Sequence, residues 1–143
     1  MTPDAELSLA LAIPRDVSVV SCRLVEGISQ LTHAELEIAT TEHLDLDGVL
    51  EQAAVIDLAP EGFPPRRWTL RVGHIDFVRI AEGSLRYVVH LYPALWLLRF
   101  TTNTRKFRGR SAEQIVSQVL AEHQLDHRFE LFRPTETRKY CAQ

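Results

Sequence analysis

Apolar and polar residues alternate with period two through most of the first two thirds of this chain. Leu7, Leu9, Leu11 and Ile13 alternate with Glu6, Ser8, Ala10 and Ala12 until Pro14, which predicts a half-buried strand. Val17 to Val25 predicts a second, more apolar strand, followed by a turn at Gly27. Glu35 and Glu37 alternating with Leu36 and Ile38 predict a third with one wet face. Ala54 to Leu58 reads as a strand, and the Pro- and Gly-rich stretch 60–65 as a loop. Trp68, Leu70 and Val72 share one face of the next strand, whose alternation continues through Ile75, Phe77 and Val78. Glu82-Gly83-Ser84 marks a hairpin into a strand over Leu85 to Leu91, with Tyr87, Val89 and Leu91 on one face. About six antiparallel strands joined by short turns predict a closed or nearly closed barrel, because closure removes edges that Val- and Leu-rich strands would expose.

Two stretches depart from that period. Asp45 to Gln52 predicts a short helix, its acids placed where they suit the helix dipole. Ser111-Ala112-Glu113-Gln114 forms a capping box, and Ile115, Val116, Val119 and Leu120 follow on one face, so a helix is predicted over 111–123. Arg128 to Phe132 alternates again as a strand. The last residues, Tyr140-Cys141-Ala142-Gln143, read as a strand with no partner left in the chain, which predicts a piece of a longer protein. The fold class expected is mainly β, a β-rich α+β chain.

Composition narrows the function classes. With 143 residues, 45% apolar and 24% charged, the chain is globular and long enough to own a core. No run reaches the roughly 18 apolar residues of a membrane span. The acidic N-terminus is unlike a Sec signal, which points to cytoplasmic synthesis. Cys22 and Cys141 are too few for a disulfide framework or zinc site and are expected as buried thiols. Charge is uneven: residues 1–62 hold 12 acids and 2 bases, residues 63–143 hold 7 acids and 14 bases. Either these halves form complementary surfaces for self-association or a charged partner, or their strands pair and the charges intermix. The bases, mostly Arg, are scattered along strands with no recognition helix, which argues against nucleic acid.

Candidate chemistry is sparse. His123 and His127 have i, i+4 spacing but sit where the helix should end, with no Glu or Cys to complete a metal set. Asp45 and Asp47 resemble the start of a calcium loop, yet Gly48 is at the wrong offset and no Glu closes it, so helix capping explains them better. No glycine-rich phosphate cradle or nucleophile elbow occurs, and Ser111 is better explained as a helix cap than as a nucleophile. No catalytic constellation, metal or cofactor is expected.

Several spaced motifs carry a family resemblance. Tyr87-Val88-Val89-His90-Leu91-Tyr92-Pro93-Ala94-Leu95-Trp96-Leu97-Leu98 resembles the "Y-x-L-x-L-x-P-x-L-W-L-L" run of the VgrG spike proteins of type VI secretion systems. Arg105-Lys106-Phe107, then Ser111 with Ile115, Val119 and Leu120, are similar to the family's "R-x-F" and helix pattern. Tyr140-Cys141-Ala142-Gln143 resembles its "Y-C-x-Q" signature. Upstream, Gly73-x-Ile75-x-Phe77 resembles a glycine-led strand of the family, and Ile28 to Leu31 with Leu36 to Ile38 an earlier stretch, in which His33 and Ala34 replace the usual aromatic or apolar residues.

That resemblance implies a phage-baseplate-hub-like region. Residues 1–98 would form a first antiparallel β-barrel with one short helix, and 99–143 the start of a second. It implies a homotrimer that adapts a threefold spike to a hexameric Hcp-type tube ring, with baseplate proteins and an effector or tip protein as further partners. It also implies assembly in the cytoplasm and export by the type VI machinery. A baseplate hub of a contractile-tailed phage is the alternative. Its motif residues, Gly73, Tyr87, Pro93, Leu95, Trp96, Leu97, Leu98, Arg105, Phe107, Ser111, Ile115, Tyr140, Cys141 and Gln143, are expected to be structural, with the Pro93–Leu98 run a core anchor at a barrel corner.

Overall fold

A computed structural model describes residues 5–11, 17–60 and 62–142, and the chain divides into two compact units, Met1–Ala94 and Leu95–Gln143. The first unit contains β1 (Ala5–Leu11), β2 (Ser18–Val25), β3 (His33–Thr40), α1 (Leu46–Val49), β4 (Ala53–Pro60), β5 (Arg66–Ala81) and β6 (Ser84–Tyr92). Ala12, Ile13 and Pro14 of the first predicted strand, and Glu61 of the predicted loop, lie outside the described residues. All six strands form one antiparallel sheet in the order β1-β4-β5-β6-β3-β2.

The period-two pattern decides which face is buried. On β6 every second residue is covered, Leu85, Tyr87, Val89 and Leu91, and across the ladder they meet Ile80, Phe77, Ile75 and Val72 of β5. Ala34, Leu36 and Ile38 of β3 and Ala54 and Ile56 of β4 complete the core with Leu70, each almost wholly buried. Fully burying one such side chain contributes about 1.5 to 3 kcal/mol, so this face holds the sheet. Leu44 and Val49 cap the core from the α1 segment, which Glu51 and Gln52 tie to β5 through backbone hydrogen bonds with Val72 of 2.8 and 3.0 Å.

The predicted barrel takes the form of a curled sheet whose edges, among the described residues, are β1 and β2. Side chains span its open side: Trp68 Nε1 on β5 donates to the Glu26 carboxylate just beyond β2 at 2.8 Å, although β6 and β3 intervene in the sheet order. Two register shifts in the β5–β6 ladder, at Gly73 and Val78, add curvature, as bulges do. They also explain a departure from the expected alternation. Ile75 is buried, but Phe77 and Val78, at the second bulge, are about half exposed.

The second unit is smaller. A 3₁₀ helix over Ala94–Phe100 leads to β7 (Lys106–Phe107), β8 (Arg110–Ser111), α2 (Ala112–Glu122), β9 (Thr137–Arg138) and β10 (Cys141–Ala142). α2 starts where expected. The Ser111 hydroxyl accepts from Gln114 N at 3.3 Å and the Gln114 side chain accepts from Ser111 N at 3.0 Å. Two expectations need correction here. Arg128–Phe132 is not a strand, since no segment among the described residues pairs with it, and Phe132 is fully exposed. The chain end does have a partner: Cys141 and Ala142 pair with Phe107 and Lys106, and Arg138 and Thr137 with Arg110 and Ser111. The apolar face of α2 is half covered: Ile115, Val119 and Leu120 are each partly exposed, and no residue of the helix is buried.

Candidate functional site

The motif residues fall into three structural settings. Gly73 occupies the first bulge of β5, where an extra residue must fit without disturbing the paired strand. Tyr87 is buried in β6 at 2% exposure. Its hydroxyl lies 3.2 Å from His43 Nδ1 and accepts from Leu44 N at 3.5 Å, satisfying its polar end inside the core. Leu95, Trp96, Leu97 and Leu98 follow Pro93 into the 3₁₀ helix, and none is buried. The expected core anchor is instead a half-exposed cluster in which Trp96 meets Phe100 edge-on at 4.9 Å and Arg99 lies over both rings. His33 stacks on Tyr92 at 6.3 Å, an imidazole standing where the resemblance expects an aromatic ring.

The third setting joins motifs that are far apart in sequence. Phe107, buried at 7% exposure, is the register partner of Cys141, so the Arg-x-Phe and Tyr-Cys signatures form one two-stranded ladder. Arg105 closes on Glu122 at the end of α2, and the carboxyl of Glu122 is held below its ordinary value first by the Gln118 side-chain hydrogen bond and then by Arg105. Ser111 caps α2 from β8. Ile115 lies on the half-covered helix face and Tyr140 is exposed, while Gln143 lies outside the described residues.

Candidate chemical groups are occupied by local contacts. The His127 ring nitrogens lie 3.0 Å from the Leu125 carbonyl and 3.0 Å from the Ser117 hydroxyl, so this ring is not aimed at His123. Asp45 precedes α1 but its side chain makes no cap hydrogen bond, contrary to the capping role expected of it. Both cysteines are half-buried rather than buried, and partial burial raises the Cys22 thiol above its ordinary value. Among the described residues no group of three or more His, Cys, Asp and Glu is placed to hold a metal ion.

Reading the sequence missed several electrostatic contacts, of which those of Glu26 span the curl of the sheet. Glu26 accepts from Trp68 and pairs with Arg66 at 2.7 Å, and both lower its carboxyl, the Trp68 hydrogen bond most. Asp57 holds Arg67 through two bonds of 2.6 and 2.9 Å, and its carboxyl is lowered chiefly by that contact. On the outer face His74 and His90 share Asp76, at 2.9 and 3.6 Å. A signal existed for the first of these, since an indole N–H beside a core seeks an acceptor. The acidic and Arg-rich halves therefore do intermix within the sheet, through Glu26–Arg66 and Asp57–Arg67.

Comparison with known proteins identifies the lineage. The family described as phage tail baseplate hub (GPD) matches residues 25–143. The Pseudomonas aeruginosa type VI secretion system spike protein VgrG5 is 31% identical over 138 residues, which cover 90% of this chain and 16% of that protein. VgrG2b of the same organism is 28% identical over 127 residues, covering 87% and 12%. The chain thus spans a small fraction of these relatives' length. Among solved structures, the E. coli c3393 protein, a component of the type VI secretion system with structural similarity to the T4 bacteriophage tail proteins gp27 and gp5, matches with a TM-score of 0.79. That match covers 96% of this chain and 38% of the other at 20% identity, and it shows a shared fold. With the family match covering most of the chain, both units included, this chain belongs to the phage tail baseplate hub (GPD) family.

Proposed function

We propose that this chain is hub region of a type VI secretion spike, a non-enzymatic adaptor between a threefold spike and a hexameric Hcp-type tube. The observation that carries this reading is the family match over residues 25–143, seconded by relatives that are themselves named type VI spike proteins. In this reading residues 1–98 form one hub-like domain and 99–143 begin the next. Three copies then present six related domains to the tube, a heterologous contact that closes into a ring. The covered face of the β1–β6 sheet suits such a part. A close-packed core has low compressibility, so load applied at one side reaches the other with little deformation. The motif residues serve packing and pairing, as Tyr87 and Phe107 do, rather than bond-making.

Baseplate proteins, and an effector or tip protein attached elsewhere on the spike, are the further partners. Assembly takes place in the cytoplasm and export uses the contractile machinery. No described helix is long and apolar enough to cross a membrane. The family description supports a second reading, the baseplate hub of a contractile-tailed phage. Deleting the coding region for residues 17–143 in the host separates them. Loss of tube-protein release into the medium is expected, and undiminished release with loss of phage particles would favour the second reading.

A further inference from the structure

Two exposed surfaces of opposite charge lie in different units, and the local structure explains neither. In the second unit Arg110 and Arg138 are direct register partners across the β8–β9 ladder, both exposed. Like charges placed directly opposite destabilise a strand pair, so the ladder alone does not account for them. Arg108 and Lys106 line the same depression as Arg110, and the one carboxylate there, Glu122, is already engaged by Arg105 and Gln118. Among the described residues none of these four cations has an ion pair.

In the first unit Glu42, Asp45, Asp47 and Glu51 are exposed around α1, and Arg71, which reaches this segment, donates to the Glu51 backbone carbonyl at 2.9 Å and not to a carboxylate. Asp45 leaves its carboxylate unused as a helix cap, and none of the four has an ion pair among the described residues.

We propose that the Arg110–Arg138 ladder docks on the α1 acidic segment of a second copy of this chain. The inference rests on the self-association read above and names its contact. A positive patch on one unit and a negative patch on another give a head-to-tail interface, the kind that closes into rings. Charge complementarity of this sort sets partner orientation and speeds encounter, and it weakens with salt as the Debye length shrinks.

Sedimentation of the 143-residue chain tests this, read against salt from about 0.05 to 0.5 M. Wild type should self-associate at low salt and dissociate at high salt. Arg110→Glu with Arg138→Glu should weaken association about tenfold or more. Adding Asp45→Arg and Asp47→Arg to that variant should restore it, because the swapped charges again face each other. Arg133→Glu serves as control, and unchanged thermal melting of each variant excludes misfolding. Association that ignores the Arg110/Arg138 reversal, or reversal without restoration by the swap, overturns the contact while leaving self-association in place. A wild-type chain that stays monomeric at every salt overturns both.

Discussion

Glu26 holds two partners at once, the indole of Trp68 and the guanidinium of Arg66, and so joins the end of β2 to the start of β5. Its lowered carboxyl sets the direction of a small pH effect on stability, small because the pair is exposed. A carboxylate with a lowered folded value contributes stability that is present above its unfolded value and lost as pH falls through the folded one. Glu26 and Asp57 therefore predict that stability declines on the acid side, below their ordinary values of 4.5 and 3.8. Trp68→Phe keeps the apolar ring and removes the hydrogen bond, so the Glu26 carboxyl should titrate closer to its ordinary value. NMR titration reads this, and an unchanged Glu26 midpoint would show that Arg66 suffices. Burial separates two leucines that a sequence ranks alike. Leu36→Ala should cost about 2 to 5 kcal/mol, the range for a filled core site. Leu120→Ala, on the half-covered face of α2, should cost about 1 kcal/mol, since less apolar area leaves water there. Chemical denaturation of both variants checks the contrast, and equal losses would mean α2 is enclosed.

α2 and the β5–β6 hairpin show how much an element owes to its ends. α2 begins with both hydrogen bonds of its capping box, so Ser111→Ala should cost about 1 kcal/mol in thermal melting. A loss within error would mean the helix is held by something other than its cap. In the hairpin, Glu82 and Gly83 have φ of 52° and 75°, the pair of positive values that type I′ turns need. Glycine supplies this conformation without cost, whereas glutamate strains to reach it. Gly83→Ala should therefore destabilise and Glu82→Gly stabilise, each by about 0.5 to 1 kcal/mol. Opposite signs from neighbouring positions are the diagnostic outcome, and like signs would exclude this turn.

For the molecule as a whole, one sheet carries the first unit, while helices and short ladders make the second. A far-UV spectrum should thus be dominated by strand, with a minor helical component from α1 and α2, and a helix-dominated spectrum would contradict the fold. Charge acts at this scale in two ways. Part of the acidic and Arg-rich asymmetry is consumed inside the sheet, by Glu26–Arg66 and Asp57–Arg67. Those pairs are exposed, and exposed pairs contribute little to stability. What remains, around α1 and on β8–β9, is turned outward and is available for assembly.

The sequence by itself determined which side of β3, of β6 and of the first half of β5 is buried, because a period of two needs only neighbouring residues to be read. Leu36 and Ile38, Leu70 and Val72, Tyr87 and Val89 all face the core as their alternation predicts. It likewise determined the start of α2, since a capping box closes within four residues. Strand order, curl and the pairing of Phe107 with Cys141 were decided only by the tertiary structure. Two-residue strands are too short to show a period, and their pairing depends on which distant segment arrives beside them. Arg128–Phe132 has the alternation of a strand yet forms none, for want of that partner. The half-exposed Leu95–Leu98 run makes the same point for burial: apolarity marks a candidate for covering, and only the folded surroundings decide whether anything covers it.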